Sequence, residues 1–323
     1  MNTPLLAVSG LRVGFPAPGG RRLVLRGIDF EVEEGTAYGI VGESGCGKSM
    51  TAHAILGLVP PPGSIAGGTI AYRGQDLVSG DPSAWAGLRG RHIAMVHQDP
   101  GAALNPLFTI GSQIKAIMRR HGRARSREAR QRAVSLLGEL ELADPAALLD
   151  RYPHELSGGM QQRVLLAMAL AGDPDLVIAD EATTALDVTI QAQVLALLDR
   201  LRKKRGLTLV IITHDLGVVA QTCDRVAVLY LGRIVEEGDP EDIFLEPHHP
   251  YTRGLLKARP GEQTQRTPLA VIPGSVPADA ANITGCAFRE RCAFAMDSCR
   301  LEDPAERRLS DRHRSACHLE GGR

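Results

Sequence analysis

Residues 151–187, RYPHELSGGMQQRVLLAMALAGDPDLVIADEATTALD, constrain the fold of this chain more than any other stretch. They place two phosphate-handling elements on either side of one apolar helix. Ser157-Gly158-Gly159 precedes a helical pattern of Val164, Leu165, Ala167, Met168 and Leu170. Ser157 is positioned as the N-cap, and the glycines leave backbone N–H groups uncovered at the helix N-terminus, where free donors and the helix dipole attract phosphate. Leu176-Val177-Ile178-Ala179 then reads as a buried strand ending in Asp180-Glu181. A carboxylate at the carboxyl edge of a parallel strand suits a Mg²⁺ ligand, and a second beside it suits a base that orients water. Ser-Gly-Gly alone would be a turn and Asp-Glu alone a solvated surface. Their order and spacing set the stretch apart from both.

The amino-terminal third supplies a second anchor. Leu11 to Phe15 and Ile28 to Val32 alternate like strands, with a turn over residues 16–20. Ala37-Tyr38-Gly39-Ile40-Val41 is a short apolar strand, followed directly by Gly42-Glu43-Ser44-Gly45-Cys46-Gly47-Lys48-Ser49 and a helical run from Met50 to Leu58. This is G-x-x-x-x-G-K-S in the strand–loop–helix setting that the chemistry requires. Glycines let the backbone wrap phosphate oxygens, Lys48 brings a mobile charge to the outer phosphates, and Ser49 can ligate Mg²⁺.

Residues 63–92 read as polar and Gly-rich, before a strand at Ile93-Ala94-Met95-Val96 and then His97-Gln98-Asp99-Pro100. To about residue 155 the pattern is helical and Arg-rich, as in Met118-Arg119-Arg120-His121-Gly122-Arg123-Ala124-Arg125. Without interleaved aromatics this basic run reads as a solvated helix face rather than a nucleic-acid surface. The 37 basic and 37 acidic side chains balance, which gives no support for bulk nucleic-acid affinity. The chain resumes with strands at residues 208–213 and 226–230. Strands alternating with helices predict an α/β fold with a mostly parallel sheet and a helical insertion. His214 follows the 208–213 strand, on the edge expected for Lys48 and Asp180, where an imidazole can report a γ-phosphate. The first ten residues lack the pattern of a signal peptide and no apolar run reaches 18 residues, so a cytosolic location with reduced thiols is expected.

Taken together these motifs resemble the ATPase subunits of ATP-binding-cassette (ABC) transporters. Residues 42–49 match the Walker A loop, Gln98 the Q-loop, residues 156–161 the family signature and residues 176–181 Walker B. Ala185-Leu186-Asp187 is similar to the D-loop, His214 to the switch histidine and Phe15 to the aromatic that stacks on adenine. The resemblance extends to the dipeptide/oligopeptide importer ATPases through Ala103-Leu104-Asn105-Pro106, residues 185–193, and Pro247-His248-His249-Pro250-Tyr251-Thr252. Nickel and other small-cargo importers share much of this wording. Three positions depart from it: Cys46 for Ser, Ala182 for Pro, and His97 for an aromatic. None removes a reacting group.

The resemblance implies an ABC-type core with an antiparallel β subdomain over residues 1–260, a helical subdomain at about 99–165, and a tail from 261. It implies ATP and Mg²⁺ as cofactors, with Phe15, Gly42, Ser44, Gly45, Cys46, Gly47, Lys48, Ser49 and Met50 as nucleotide contacts. Ser49, Gln98 and Asp180 would hold Mg²⁺. Glu181 would activate water, with His214 and Gln98 sensing γ-phosphate. Ser157, Gly158, Gly159, Gln161 and Asp187 would act across a head-to-tail dimer that sandwiches two ATP molecules. The implied partners are a second, paralogous ATPase subunit, two transmembrane permease subunits and an extracytoplasmic binding protein, with no nucleic acid. The implied location is the cytoplasmic face of the membrane, as a peripheral subunit. A soluble ABC ATPase acting on DNA or ribosomes, which would carry coiled-coil arms or paired cassettes, and a non-hydrolysing cassette are the rival readings.

Four of the six cysteines, Cys286, Cys292, Cys299 and Cys317, lie in the loop-rich residues 262–323. A segment with so little core needs a cross-link or a metal, and reduced thiols favour the metal. The spacings fit neither the tight pairs of zinc sites nor common ferredoxin runs. Likeness to peptide-importer ATPases with a cysteine-bearing tail implies a structural [4Fe–4S] cluster, with zinc and unligated thiols as the alternatives. Cys223 is expected to be a packing residue.

Overall fold

The computed structural model describes residues 3–81, 83–97, 99–122, 126–181, 188–258, 272–277 and 283–319. The chain divides into two compact units: Met1–Glu33, Ala37–Asp81 and Ile212–Arg323 form the first, Glu34–Thr36 and Pro82–Ile211 the second.

In the first unit, β1 (Leu6–Ala17) and β2 (Gly20–Val32) form the expected hairpin, closing at Ala17 opposite Gly20. Register shifts between Val8 and Leu11 reset the alternation, so Leu6, Val8, Leu11 and Val13 all reach the core. β3 (Ala37–Val41) is buried at every position, as a strand covered on both faces must be. Beyond it, β4 (Ser64–Tyr72) and β5 (Gln75–Asp76) complete an antiparallel sheet of order β2-β1-β4-β5. β4 is hidden in the stretch that reads as polar and Gly-rich. Gly68 adopts φ +85°, and a Cβ there would lie 2.4 Å from the Gly10 carbonyl. The glycine therefore belongs to a strand, at the bulge where β4 and β1 approach most closely.

In the second unit, β6 (Ile93–Val96) and β7 (Leu176–Asp180) run parallel, with Ile93 opposite Leu176 and Val96 opposite Ala179. β8 (Thr208–Thr213) follows β7 in the sheet and carries the chain back, its last two residues lying in the first unit. Helices Ile110–Arg120, Ser126–Glu139, Gly158–Leu170 and Val188–Arg205 supply the helical mass. Thr109 caps the first of these, its Oγ1 accepting from Ser112 N at 3.3 Å. Met118 is buried while Arg119 and Arg120 are exposed, in keeping with a solvated basic face.

Back in the first unit, β9 (Arg225–Tyr230) lies parallel to β3. It turns through Leu231 and Gly232, both at positive φ, into antiparallel β10 (Arg233–Gly238). A two-residue turn of this kind can join only antiparallel strands. β11 (Arg307–Arg308) and β12 (Arg314–Ser315) extend that edge, with β12 against β10. The α/β class holds, and the expected mostly parallel sheet is mixed because the C-terminal segment adds antiparallel strands.

Candidate nucleotide site

The phosphate-type loop leaves the carboxyl end of β3. Gly42 has φ +157°, and a Cβ there would sit 2.3 Å from the Leu229 carbonyl oxygen of β9. Only glycine lets the loop pass the strand this closely. Ser44 and Gly45 are exposed at its crest, and Gly45 and Gly47 are both left-handed. Gly47 leads into helix Lys48–Ile55. Lys48 is 4% exposed, and its Nζ donates to the carbonyls of Gly42 at 2.8 Å and Glu43 at 3.0 Å. The ammonium is thus held over the loop's own backbone, where a phosphate would meet it. Ser49 is exposed and Met50 half-buried. Cys46 is a packing group: its thiol is buried, burial pushes its pKa up, and its N–H donates to Glu43 O at 3.3 Å. Phe15 of β1 is half-buried, with its ring against Gly63, where an added Cβ would come within 2.6 Å of it.

Glu43 is held from three sides. Besides the Lys48 contact on its carbonyl, its N–H donates to Tyr251 Oη at 2.9 Å. Its carboxylate accepts both Arg291 terminal nitrogens, at 2.7 and 2.9 Å. Tyr251 lies in the His-His-Pro-Tyr motif, whose packing the structure explains. The side chain of Glu236, buried in β10, accepts from the backbone N–H groups of His248 and His249 at 2.6 and 2.9 Å and meets His313 Nε2 at 2.9 Å. Burial raises the Glu236 pKa, but these bonds more than offset it and leave the carboxyl below its usual range. The same contact holds His313 above its usual value. His249 caps helix Pro250–Lys257 with Nδ1 accepting from Tyr251 N at 3.0 Å, and burial lowers its pKa to about 4, so the ring is neutral. Tyr251 then packs at a tilt against Tyr230 and Phe288, at centroid separations of 4.6 and 5.4 Å.

In the second unit, Ser157 caps helix Gly158–Leu170 as expected, its Oγ accepting from Met160 N at 3.4 Å. Ser157 and Gly158 are exposed and Gly159 half-buried, so the helix N-terminus is open to an anion. Gln161 turns inward, donating to the carbonyls of Pro153 at 2.9 Å and Leu156 at 3.3 Å. Its side chain braces the approach to the helix. Asp180 is buried at the end of β7, and Glu181 follows at φ +45°, a left-handed conformation uncommon outside glycine. His214 is exposed just past β8, and Asp215 caps the next helix, accepting from Gly217 N at 2.7 Å. Gln98, Ala182 and the D-loop residues 185–187, with Asp187, lie outside the described residues.

The tail thiols of Cys286, Cys292, Cys299 and Cys317 line one small cavity with His249 and Phe288. Burial raises the pKa of Cys286 to about 11 and pushes Cys292 and Cys317 up as well. Among the described residues no group of three or more His, Cys, Asp or Glu side chains is arranged to hold a metal ion. The sequence marks these four thiols as a set, and the fold brings them to one cavity. Cys223 is buried, as expected of a packing residue. The loop contact that the sequence does not announce is that of Arg291. It carries no spacing signal, since Glu43 lies 248 positions away.

Comparison with known proteins places these elements. The family described as "ABC transporter" matches residues 25–184, and the "Oligopeptide/dipeptide transporter, C-terminal region" matches residues 235–299. The dipeptide transport ATP-binding protein DppD of Escherichia coli (strain K12) is 45% identical over 314 residues, covering 97% of this chain and 96% of that protein. DppD of Bacillus subtilis (strain 168) is 43% identical over 320 residues, covering 99% and 96%. Among solved structures, the dimeric post-hydrolysis ATP-binding cassette MJ0796 bound to ADP and Pi aligns with TM-score 0.64 at 27% identity, covering 73% of this chain and 98% of that one.

Proposed function

This chain belongs to the ATP-binding subunits of ABC transporters, in their dipeptide and oligopeptide branch, and from that membership we propose that it hydrolyses ATP to power peptide import through a membrane complex. The observation that carries the reading is the loop of residues 42–49, folded at the end of a buried strand with Lys48 drawn over its carbonyls. No helix among the described residues is long and apolar enough to cross a membrane, so translocation would fall to separate permease subunits. In the proposed assembly this chain and a second, paralogous ATP-binding subunit sit on the cytoplasmic face, and an extracytoplasmic binding protein serves the opposite side. Residues 1–260 would form the ATPase domain, with its helical part at about 99–165, and residues 261–323 the tail.

Phosphoryl transfer asks the protein for position and charge neutralisation more than for covalent chemistry. Lys48 and the backbone of residues 42–49 would hold the phosphates, with Phe15 on the base. Asp180 and Ser49 offer the oxygen ligands that Mg²⁺ prefers, with Gln98 as a further one. Glu181 would orient the attacking water, and His214 and Gln98 would sense the γ-phosphate. Ser157, Gly158 and Gly159 would close the partner's site, with Gln161 bracing them and Asp187 crossing the dimer interface. In the assembled complex, Glu181→Gln should retain ATP binding and lose turnover by a factor of 100 or more, on the order of a catalytic base's contribution. Normal turnover in that variant would refute the assignment.

For the tail, the resemblance to peptide-importer ATPases with a cysteine-bearing tail suggests a [4Fe–4S] cluster, and the supporting observation is that the four thiols line one cavity. Cys286, Cys292, Cys299 and Cys317 would be its ligands, and its role structural. Iron, sulfide and zinc analysis of anaerobically purified protein tests this, and absence of iron and sulfide would refute it.

A further inference from the structure

We propose that Arg291 is a positioning residue of the nucleotide site, one that latches the C-terminal segment to the phosphate loop and sets how tightly the loop takes nucleotide. The inference rests on the nucleotide-binding reading above.

Arg291 is built into place. Its side chain is 5% exposed, and its Nε donates to the Pro273 carbonyl at 2.8 Å. The guanidinium lies 5.8 Å from the Tyr230 ring centroid and 5.9 Å from that of Phe288. Its two terminal nitrogens form a fork on the Glu43 carboxylate, the planar bidentate geometry that only arginine provides. Such an arrangement costs side-chain entropy and desolvation, and it is aimed at the second residue of the loop rather than at the surface.

The consequence follows from what else holds Glu43. Tyr251 fixes its N–H, and Lys48 rests on its carbonyl and on that of Gly42. Arg291 is the third anchor, so N–H, carbonyl and side chain of this residue are all pinned. The Gly42–Glu43 peptide is thereby oriented before any phosphate arrives, and so is the parking place of Lys48. A preorganised loop binds without the entropy of ordering itself. Charge acts in the same direction. The Glu43 side chain is 29% exposed, and without Arg291 its negative charge would stand unpaired beside a loop that must attract an anion. Tyr230, Tyr251 and Phe288 form the packed cage behind the latch, and Phe288 also lines the four-thiol cavity. The tail and the nucleotide loop thus share one rigid cluster.

The test uses the purified full chain and measures the Kd of Mg²⁺-ATP by calorimetric titration. The variants are Arg291→Ala, Arg291→Lys, Glu43→Gln and the double Arg291→Ala/Glu43→Gln. Arg312→Ala is the control, because Arg312 pairs with Asp239 on the exposed surface of the same tail. Arg291→Ala should weaken ATP about tenfold, the lower end of what a buried charge-assisted bond supplies. Arg291→Lys should recover part of this, Glu43→Gln should fall between, and the double variant should be no worse than Arg291→Ala. Arg312→Ala should match the unaltered protein. If Arg291→Ala and Glu43→Gln bind ATP within twofold of the unaltered protein while melting earlier, Arg291 only staples the tail and the proposal fails. Should Arg291→Ala not fold, Glu43→Gln decides alone, since it leaves Arg291 in its aromatic cage. An unaltered protein that bound no ATP would instead refute the nucleotide reading.

Discussion

Replacing His249 with asparagine should make the protein less sensitive to acid, although it removes a buried ring. His249 is 1% exposed and neutral, because burial lowers its pKa from 6.5 to about 4. Its Nδ1 accepts from Tyr251 N at 3.0 Å as the cap of helix Pro250–Lys257. An unfolded chain protonates this ring near pH 6.5, whereas the fold resists until about 4. For a base with a depressed pKa, the linked stability is complete above the unfolded value and is lost as pH falls towards the folded one. At about 1.4 kcal/mol per pH unit, a shift of roughly 2.5 units amounts to about 3 kcal/mol forfeited between pH 7 and 4. Asparagine can cap the same helix through Oδ1 and does not titrate, but it fills less space, at a cost of about 1–2 kcal/mol at pH 7. His249→Asn should therefore be the weaker protein at neutral pH and the stronger one at pH 4, with the curves crossing between about pH 5 and 6. Urea unfolding followed by circular dichroism from pH 7 to 4 measures both curves. Other acid-labile groups, Glu236 among them, are common to both proteins and cancel in the difference. A gap that stays constant across the range would show that burial does not hold His249 neutral, and the argument would fail.

Gly42→Ala should unfold the first unit or cost more than about 3 kcal/mol, since the new Cβ would meet the Leu229 carbonyl at 2.3 Å and that oxygen belongs to a strand. Gly45→Ala, with nothing within 4 Å of its Cβ and φ +80°, should cost only about 1–2 kcal/mol; thermal unfolding compares the two. Ser157→Ala removes a long cap bond of 3.4 Å and should lower stability by about 0.5–1 kcal/mol, read by urea titration.

Much of the candidate site was legible because its geometry is local. The loop at 42–49, the cap at Ser157 and the carboxylates at 180–181 each depend on residues within one turn or one strand end. The helical character of residues 99–155 and the helix after Ser157 were readable for the same reason. What escaped was structure that looks polar or irregular along the chain. β4 was not read as a strand from its polar, glycine-rich stretch, because its glycines serve an approach to β1 that only pairing reveals. The hydrogen bonds of Gln161 to the Pro153 and Leu156 carbonyls were likewise not legible from its motif. The tail cysteines were visible as a set, but their gathering at one cavity came from the fold of the tail.

The sequence by itself determined which local devices exist: where a backbone can wrap phosphate, where a helix begins, and where a strand ends in acid. These follow from φ restrictions, caps and periodicity, which act over a few residues. Only the tertiary structure decided what stands behind them. The fork of Arg291 on Glu43 joins residues 248 positions apart, and the buried Glu236 organises His248, His249 and His313 from two separate segments. Such contacts depend on burial, which strengthens a charge pair and shifts a histidine by amounts no spacing along the chain encodes.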